Sequence, residues 1–188
     1  KTPFYFYDLP LLERTLDAVR SAIGNRPQWQ VHYAVKANAN PEILRRIAAA
    51  GFGADCVSGG EVRMAYEAGF APSAIVYAGV GKSDDEITYA LELGIGRFNV
   101  ESSAELLVIE EIAAKMGKVA PVSFRVNPDI GAHTHANITT GLAENKFGIF
   151  HEVLPEVIRL AQGCPHIAYK GLHFHIGSQI LDMSDFVA

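Results

Sequence analysis

The chain has 188 residues, 49% hydrophobic and 20% charged, with a formal net charge of −5. That balance fits a globular chain able to bury a core, and the lack of a basic face argues against nucleic acid as a partner. No apolar run approaches the roughly 20 residues that a membrane span needs. The chain opens at Lys1 without a signal-peptide pattern, and its two cysteines, Cys56 and Cys164, lack metal-ligand spacing and suggest a reducing compartment, by default the cytoplasm.

Phe4-Tyr5-Phe6-Tyr7 is an aromatic strand candidate. Asp8 can then cap a helix in which Leu12, Leu16, Val19 and Ile23 recur at helical spacing before Gly24 stops it. From Val31 to Asn38 the chain alternates: Val31, Tyr33 and Val35 point to one face, His32, Ala34 and Lys36 to the other. A lysine among small residues in an apolar strand is unusual. Burial favours a free amine over an ammonium ion, and a free amine can attack a carbonyl to form a Schiff base. The ordinary alternative is a strand-end lysine whose stem reaches to water.

Asn40-Pro41 supplies the next helix start, with Ile43, Leu44 and Ile47 as its stripe and Gly51 as its end. The unit then repeats. Strands through Asp55-Cys56-Val57, Ala74 to Ala78 and Phe98-Asn99-Val100 run into Ser58-Gly59-Gly60-Glu61, Ser83-Asp84-Asp85-Glu86 and Ser102-Ser103-Ala104-Glu105. Each serine with a glutamate three places on reads as a capping box at a helix start.

Strand ends at Lys36, Val57, Ala78 and Val100 recur at a near-constant step, and further ends fall at Val126 and Ile176. Strands alternating with helices in short, regular units imply parallel pairing and favour a (β/α)8 barrel over a doubly wound sheet. With Val122 to Val126 as the fifth strand and Gly171 to Ile176 as the sixth, residues 1–188 form one incomplete barrel domain with about six of the eight strands. The long connection over 127–149 suggests a functional loop.

In such a barrel the chemistry lies at the C-terminal ends of the strands, which singles out Lys36, Asp55, Arg125 and the run His173-Phe174-His175-Ile176-Gly177-Ser178. Each could instead be a buried ion-pair member or a cap. His173 and His175 share a face, a spacing that could also serve a metal-dependent barrel hydrolase if further ligands joined them. Gly177-Ser178 offers backbone donors and a hydroxyl suited to an anion such as phosphate.

Together these segments resemble the fold-type III pyridoxal-phosphate decarboxylases. Tyr33-Ala34-Val35-Lys36-Ala37-Asn38, Asp55 to Glu61, Phe98 to Ser102, Arg125-Val126-Asn127-Pro128 and Gly171 to Gln179 occur in the order seen in diaminopimelate decarboxylases. Thr134, Thr140-Gly141 and Glu144 to Gly148 resemble the loop that sets those enzymes apart from ornithine decarboxylases and alanine racemases. Gly131-Ala132-His133 departs from their commoner pattern.

The resemblance implies that Lys36 carries pyridoxal 5'-phosphate covalently, that His175 stacks on its ring and that Gly177 and Ser178 help hold its phosphate, with Asp55 and Arg125 also at the cofactor. It implies decarboxylation of meso-2,6-diaminopimelate to L-lysine by a cytoplasmic homodimer about twice as long as this chain. The remaining strands, a C-terminal β domain and the substrate-carboxylate site would follow Ala188. Related decarboxylases of carboxynorspermidine, ornithine or arginine type, and a pyridoxal-phosphate protein without catalysis, are the neighbouring possibilities. No metal, nucleic acid or membrane is expected.

Overall fold

The computed structural model describes residues 2–127 and 147–177. Helix α1 (Leu9–Ile23) starts where the Asp8 carboxylate accepts a hydrogen bond from the Leu11 amide at 2.9 Å, satisfying one orphan donor of the first turn. Ahead of it, Phe4 to Tyr7 forms no strand and is exposed. Aromatic composition favours extended chain, but no described strand lies alongside to pair its backbone.

The expected strand over Val31 to Asn38 is shorter than its alternation suggests: β1 is His32–Ala34, and Val35–Ala37 forms a 3-10 turn. The Asn38 amide donates to the Val35 carbonyl at 3.1 Å and the Tyr33 hydroxyl to the Asn38 carbonyl at 3.2 Å, which holds the bend. Val35 is buried in the core, whereas Lys36 is exposed. The premise of a lysine buried on a small-residue strand face therefore fails, and position past a strand end is what distinguishes Lys36.

Five strands then pair in parallel, each with the next: β1, β2 (Gly53–Cys56), β3 (Ile75–Tyr77), β4 (Arg97–Val100) and β5 (Ala120–Asn127). Helices α2 (Pro41–Ala49), α3 (Gly59–Glu67), α4 (Asp84–Leu93) and α5 (Ser103–Met116) form the crossovers. A two-residue strand, β6 (Ile149–Phe150), joins the end of β5. Helix α6 (Leu154–Gln162) then leads to β7 (Ile167–Phe174), which pairs with β5 along Ala120 to Val126. The sequence did not signal β6. The last strand starts earlier than expected and ends before His175. The fold is thus a parallel α/β barrel portion.

Period-two alternation sorts each strand. Ala54 and Cys56, Ile75 and Tyr77, Phe98 and Val100, and Val122 and Phe124 join the core under the helices, packed against Ile43, Leu44 and Ile47 of α2 and Leu106 and Ile109 of α5. Each fully buried Val, Leu, Ile or Phe among them contributes about 1.5–3 kcal/mol through lost apolar surface. Asp55, Val76, Asn99, Ser123 and His173 instead line the concave inner face, a cavity of about 900 Å³.

In β7 this phase depends on a bulge: Tyr169 faces Val122 but Gly171 faces Ser123, leaving Lys170 as the extra residue. Gly171 takes φ 149°, which a side chain would resist, and the shift brings His173 opposite Arg125.

Serines 58, 83 and 102 each accept a hydrogen bond from the glutamate amide three residues on. Only Ser83 and Glu86 close the reciprocal box expected at all three. Glu61 and Glu105 reach one residue further back, to the amides of Val57 and Glu101 at 2.8 Å each. For Glu105 the cause is visible, since its other oxygen is taken by Lys82.

Candidate active site

Parallel pairing in near register brings the C-terminal strand ends to one rim. Lys36 follows β1, Asp55 is the penultimate residue of β2, Glu101 follows β4, Arg125 lies near the end of β5, His173 is the penultimate residue of β7, and His175 follows it. The Lys36 charge acts on both Asp55 and His175, and the Arg125 charge acts on Asp55, His173 and His175. The residues singled out from sequence are therefore gathered together. Gly177 ends the described chain after β7, while Ser178 and the loop with Thr134, Thr140 and Glu144 lie outside the described residues.

Sequence reasoning assigned Glu105 only a capping role and Glu101 and Lys82 none, yet all three organise the rim. Arg125 Nη1 donates to both Glu101 oxygens, at 2.8 and 3.0 Å, and its guanidinium lies 5.4 Å from the centre of the Phe147 ring. The Gly79 amide also donates to Glu101, at 3.3 Å. Gly148 adopts φ 100°, and a Cβ there would lie 2.9 Å from the Arg125 carbonyl oxygen, so the chain can pass this close to Arg125 only as glycine. The available signal for Glu101 was its place immediately after a strand, the same place that singled out Lys36.

Burial raises the Asp55 carboxyl above its ordinary range, with Lys36 and Arg125 opposing and Glu61 reinforcing the rise. Burial, helped by Arg125, lowers His173 to about 4, and burial followed by Arg125 and Lys36 lowers His175. Both rings are therefore neutral at pH 7, flat and apolar enough to lie against an aromatic system. His173 Nδ1 and Ser123 Oγ are buried without a hydrogen-bond partner among the described residues. Such atoms carry an unmet desolvation cost that a bound polar group or water relieves.

The 900 Å³ cavity runs along the whole inner face, from Trp29 and Arg97 at the strand starts to His173. The charged cluster forms its C-terminal rim, with Asp55 and His173 common to both. Among the described residues no three His, Cys, Asp or Glu side chains gather as metal ligands, and no helix is long and apolar enough to cross a membrane. Cys56 and Cys164 are both free.

Parallel strands, alternating helices and a charged rim at the strand ends define a (β/α)8-type barrel portion with its site in the position such barrels use. Residues 10–188 match the family described as pyridoxal-dependent decarboxylase, pyridoxal binding domain, and the chain belongs to that family. It is 59% identical over its full length to a diaminopimelate decarboxylase of Bacteroides thetaiotaomicron, covering 49% of that protein. Against the Haemophilus influenzae diaminopimelate decarboxylase the identity is 47% over 99% of this chain and 45% of the relative. Among solved structures, diaminopimelate decarboxylase from Helicobacter pylori complexed with L-lysine superposes with a TM-score of 0.92 at 43% identity, over all of this chain and 47% of that one. The chain thus spans about half the length of the curated relatives it matches.

The family's cofactor is pyridoxal 5'-phosphate, and the residues present fit it. A primary amine stands at the rim within electrostatic reach of the Asp55 carboxylate and the His175 imidazole, on which the Arg125 guanidinium also acts, and Ser123 and His173, each with a polar atom lacking a partner among the described residues, line the adjoining cavity.

Proposed function

We propose that this chain is the cofactor-binding barrel portion of a decarboxylase that converts meso-2,6-diaminopimelate to L-lysine and carbon dioxide. The observation that carries the reading is the meeting of Lys36, Asp55, Arg125 and His175 at one rim in a chain that shares its whole length with diaminopimelate decarboxylases. Pyridoxal 5'-phosphate, when bound, supplies an electron sink for the charge left on the substrate carbon as the carboxylate departs.

Lys36, exposed on its turn, is the amine that would hold the cofactor through its aldehyde. His175, just past β7, would lie against the cofactor ring, and the backbone at Gly177, with the Ser178 hydroxyl that the sequence supplies next to it, would suit its phosphate. Arg125, fixed by Glu101, and Asp55 set the field around Lys36. Residues 1–188 form one part of the barrel, with the remaining strands and a C-terminal domain outside this chain. The working enzyme is a cytoplasmic homodimer, a placement supported by two unpaired cysteines.

The test is substrate choice by the full-length protein loaded with cofactor. Carbon dioxide release should be fast from meso-diaminopimelate and at least about a hundredfold slower from ornithine and arginine, since a site built to bind the distal carboxylate of diaminopimelate rejects substrates lacking it by large factors. Preference for ornithine or arginine would move the reading to a neighbouring decarboxylase.

A further inference from the structure

Lys82 lies in the loop between β3 and α4, and its side chain is 1% exposed. Lysine is almost never this buried without partners. Its ammonium donates to the Gly79 carbonyl at 2.7 Å, the Asn99 carbonyl at 2.9 Å and Glu105 Oε1 at 2.6 Å, and it stands 5.3 Å from the centre of the Tyr77 ring. All its donors are used, so it is a fixed charge and no rival to Lys36 as the reactive amine.

The other Glu105 oxygen accepts the Glu101 amide at 2.8 Å, and the Glu101 carboxylate grips Arg125. Four buried charges thus run in one line along the rim: Lys82, Glu105, Glu101, Arg125. The two carboxylates are neighbours, and each pairs with the cation at its own end.

We propose that Lys82 is a positioning residue for Arg125, acting through Glu105 and Glu101 to hold the guanidinium at the cofactor site. The proposal rests on the reading of Arg125 as part of that site. Without the Lys82 ammonium, two adjacent buried carboxylates share one cation, and Glu101 can no longer serve Arg125 alone. Among the described residues, the other charged or titratable groups facing this line are Tyr77 on β3, Asp55 on β2, His173 and His175 at β7, and Lys36 beyond Asp55. None is placed to replace the lost cation beside Glu105.

The sign of the pH effect follows. Burial already raises the Glu105 carboxyl, and Lys82 is the group that opposes the rise. In Lys82→Met the carboxyl rises further, stays neutral at low pH and ionises without a partner as pH increases, so the damage grows with pH.

The experiment uses the full-length protein and titrates pyridoxal 5'-phosphate by absorbance across mildly acid to mildly alkaline pH, for wild type, Lys82→Met, Glu105→Gln, the double variant, and Lys82→Met on an Arg125→Met background. Lys82→Met should weaken cofactor binding relative to wild type by about tenfold at alkaline pH and by less at acid pH, as expected for groups coupled in one network. Glu105→Gln should weaken it without that growth with pH. The double variant, which removes both charges, should return towards wild type, and Lys82→Met should add nothing once Arg125 is gone.

If Lys82→Met follows wild type at every pH, the proposal falls. It also falls if the double variant is as weak as Lys82→Met, because Lys82 is then only a brace for the Gly79 and Asn99 carbonyls. Glu105→Gln binding like wild type overturns it independently. Borohydride trapping of wild type separates the two levels: without cofactor on Lys36 the reading of the site itself fails, whereas with it these outcomes bear on Lys82 alone.

Discussion

Replacing Glu101 by alanine tests whether the rim is held by charge pairing or merely decorated by it. The Glu101 side chain is 4% exposed and that of Arg125 14%, so deletion strands a guanidinium that water resolvates only poorly. Breaking a buried pair by removing one partner costs about 3–5 kcal/mol, and the long Gly79 hydrogen bond adds no more than about 1 kcal/mol. We therefore expect a loss of roughly 4 kcal/mol, read as a fall in urea midpoint at constant slope for the transition of the barrel domain. Glu101→Gln, which keeps the shape, should lose less. As an internal comparison, Lys115→Ala removes a pair whose side chains are 69% and 66% exposed and should leave the midpoint unchanged. A midpoint for Glu101→Ala equal to that of Lys115→Ala would refute the reasoning.

His173 is lowered from 6.5 to about 4, so its contribution to stability is complete above 6.5 and is lost as pH falls towards 4; unfolding midpoints across that window should show the loss, and His173→Gln should flatten it. Gly148→Ala forces a side chain into φ 100° against the Arg125 carbonyl, so it should cost about 1–3 kcal/mol and weaken cofactor binding measured by absorbance titration. Residues 1–188 expressed alone should self-associate on size-exclusion chromatography, because β7 presents Tyr169, Leu172 and Phe174 to solvent at 43, 43 and 53% exposure.

The repeating unit was legible because its signals are local: a serine cap, a glutamate three residues on, and alternation over the preceding strand. Those features place β2 to β4 and the end where Asp55 stands, whereas β5 and Arg125 are read from the strand's place in the repeat. Other features depend on partners that one strand cannot reveal. Phe4 to Tyr7 has strand composition but no strand beside it, and the alternation around Lys36 continues into a turn that the Tyr33 hydroxyl helps to close. The bulge at Gly171 that aligns His173 with Arg125 shows only in the register with β5. Glu105 was hidden by a second reading that is also true: its amide donates to the Ser102 hydroxyl that caps α5, while its carboxylate joins Lys82 to the Glu101 backbone.

The central claim is that Lys36, and no other lysine, carries the cofactor. The full-length protein loaded with pyridoxal 5'-phosphate, reduced with borohydride, digested and mapped by mass spectrometry should yield one modified peptide, bearing its label on Lys36, and Lys36→Ala should yield none. A label on Lys82, which the structure ties to two carbonyls and a carboxylate, or on any other lysine of the chain would contradict the account.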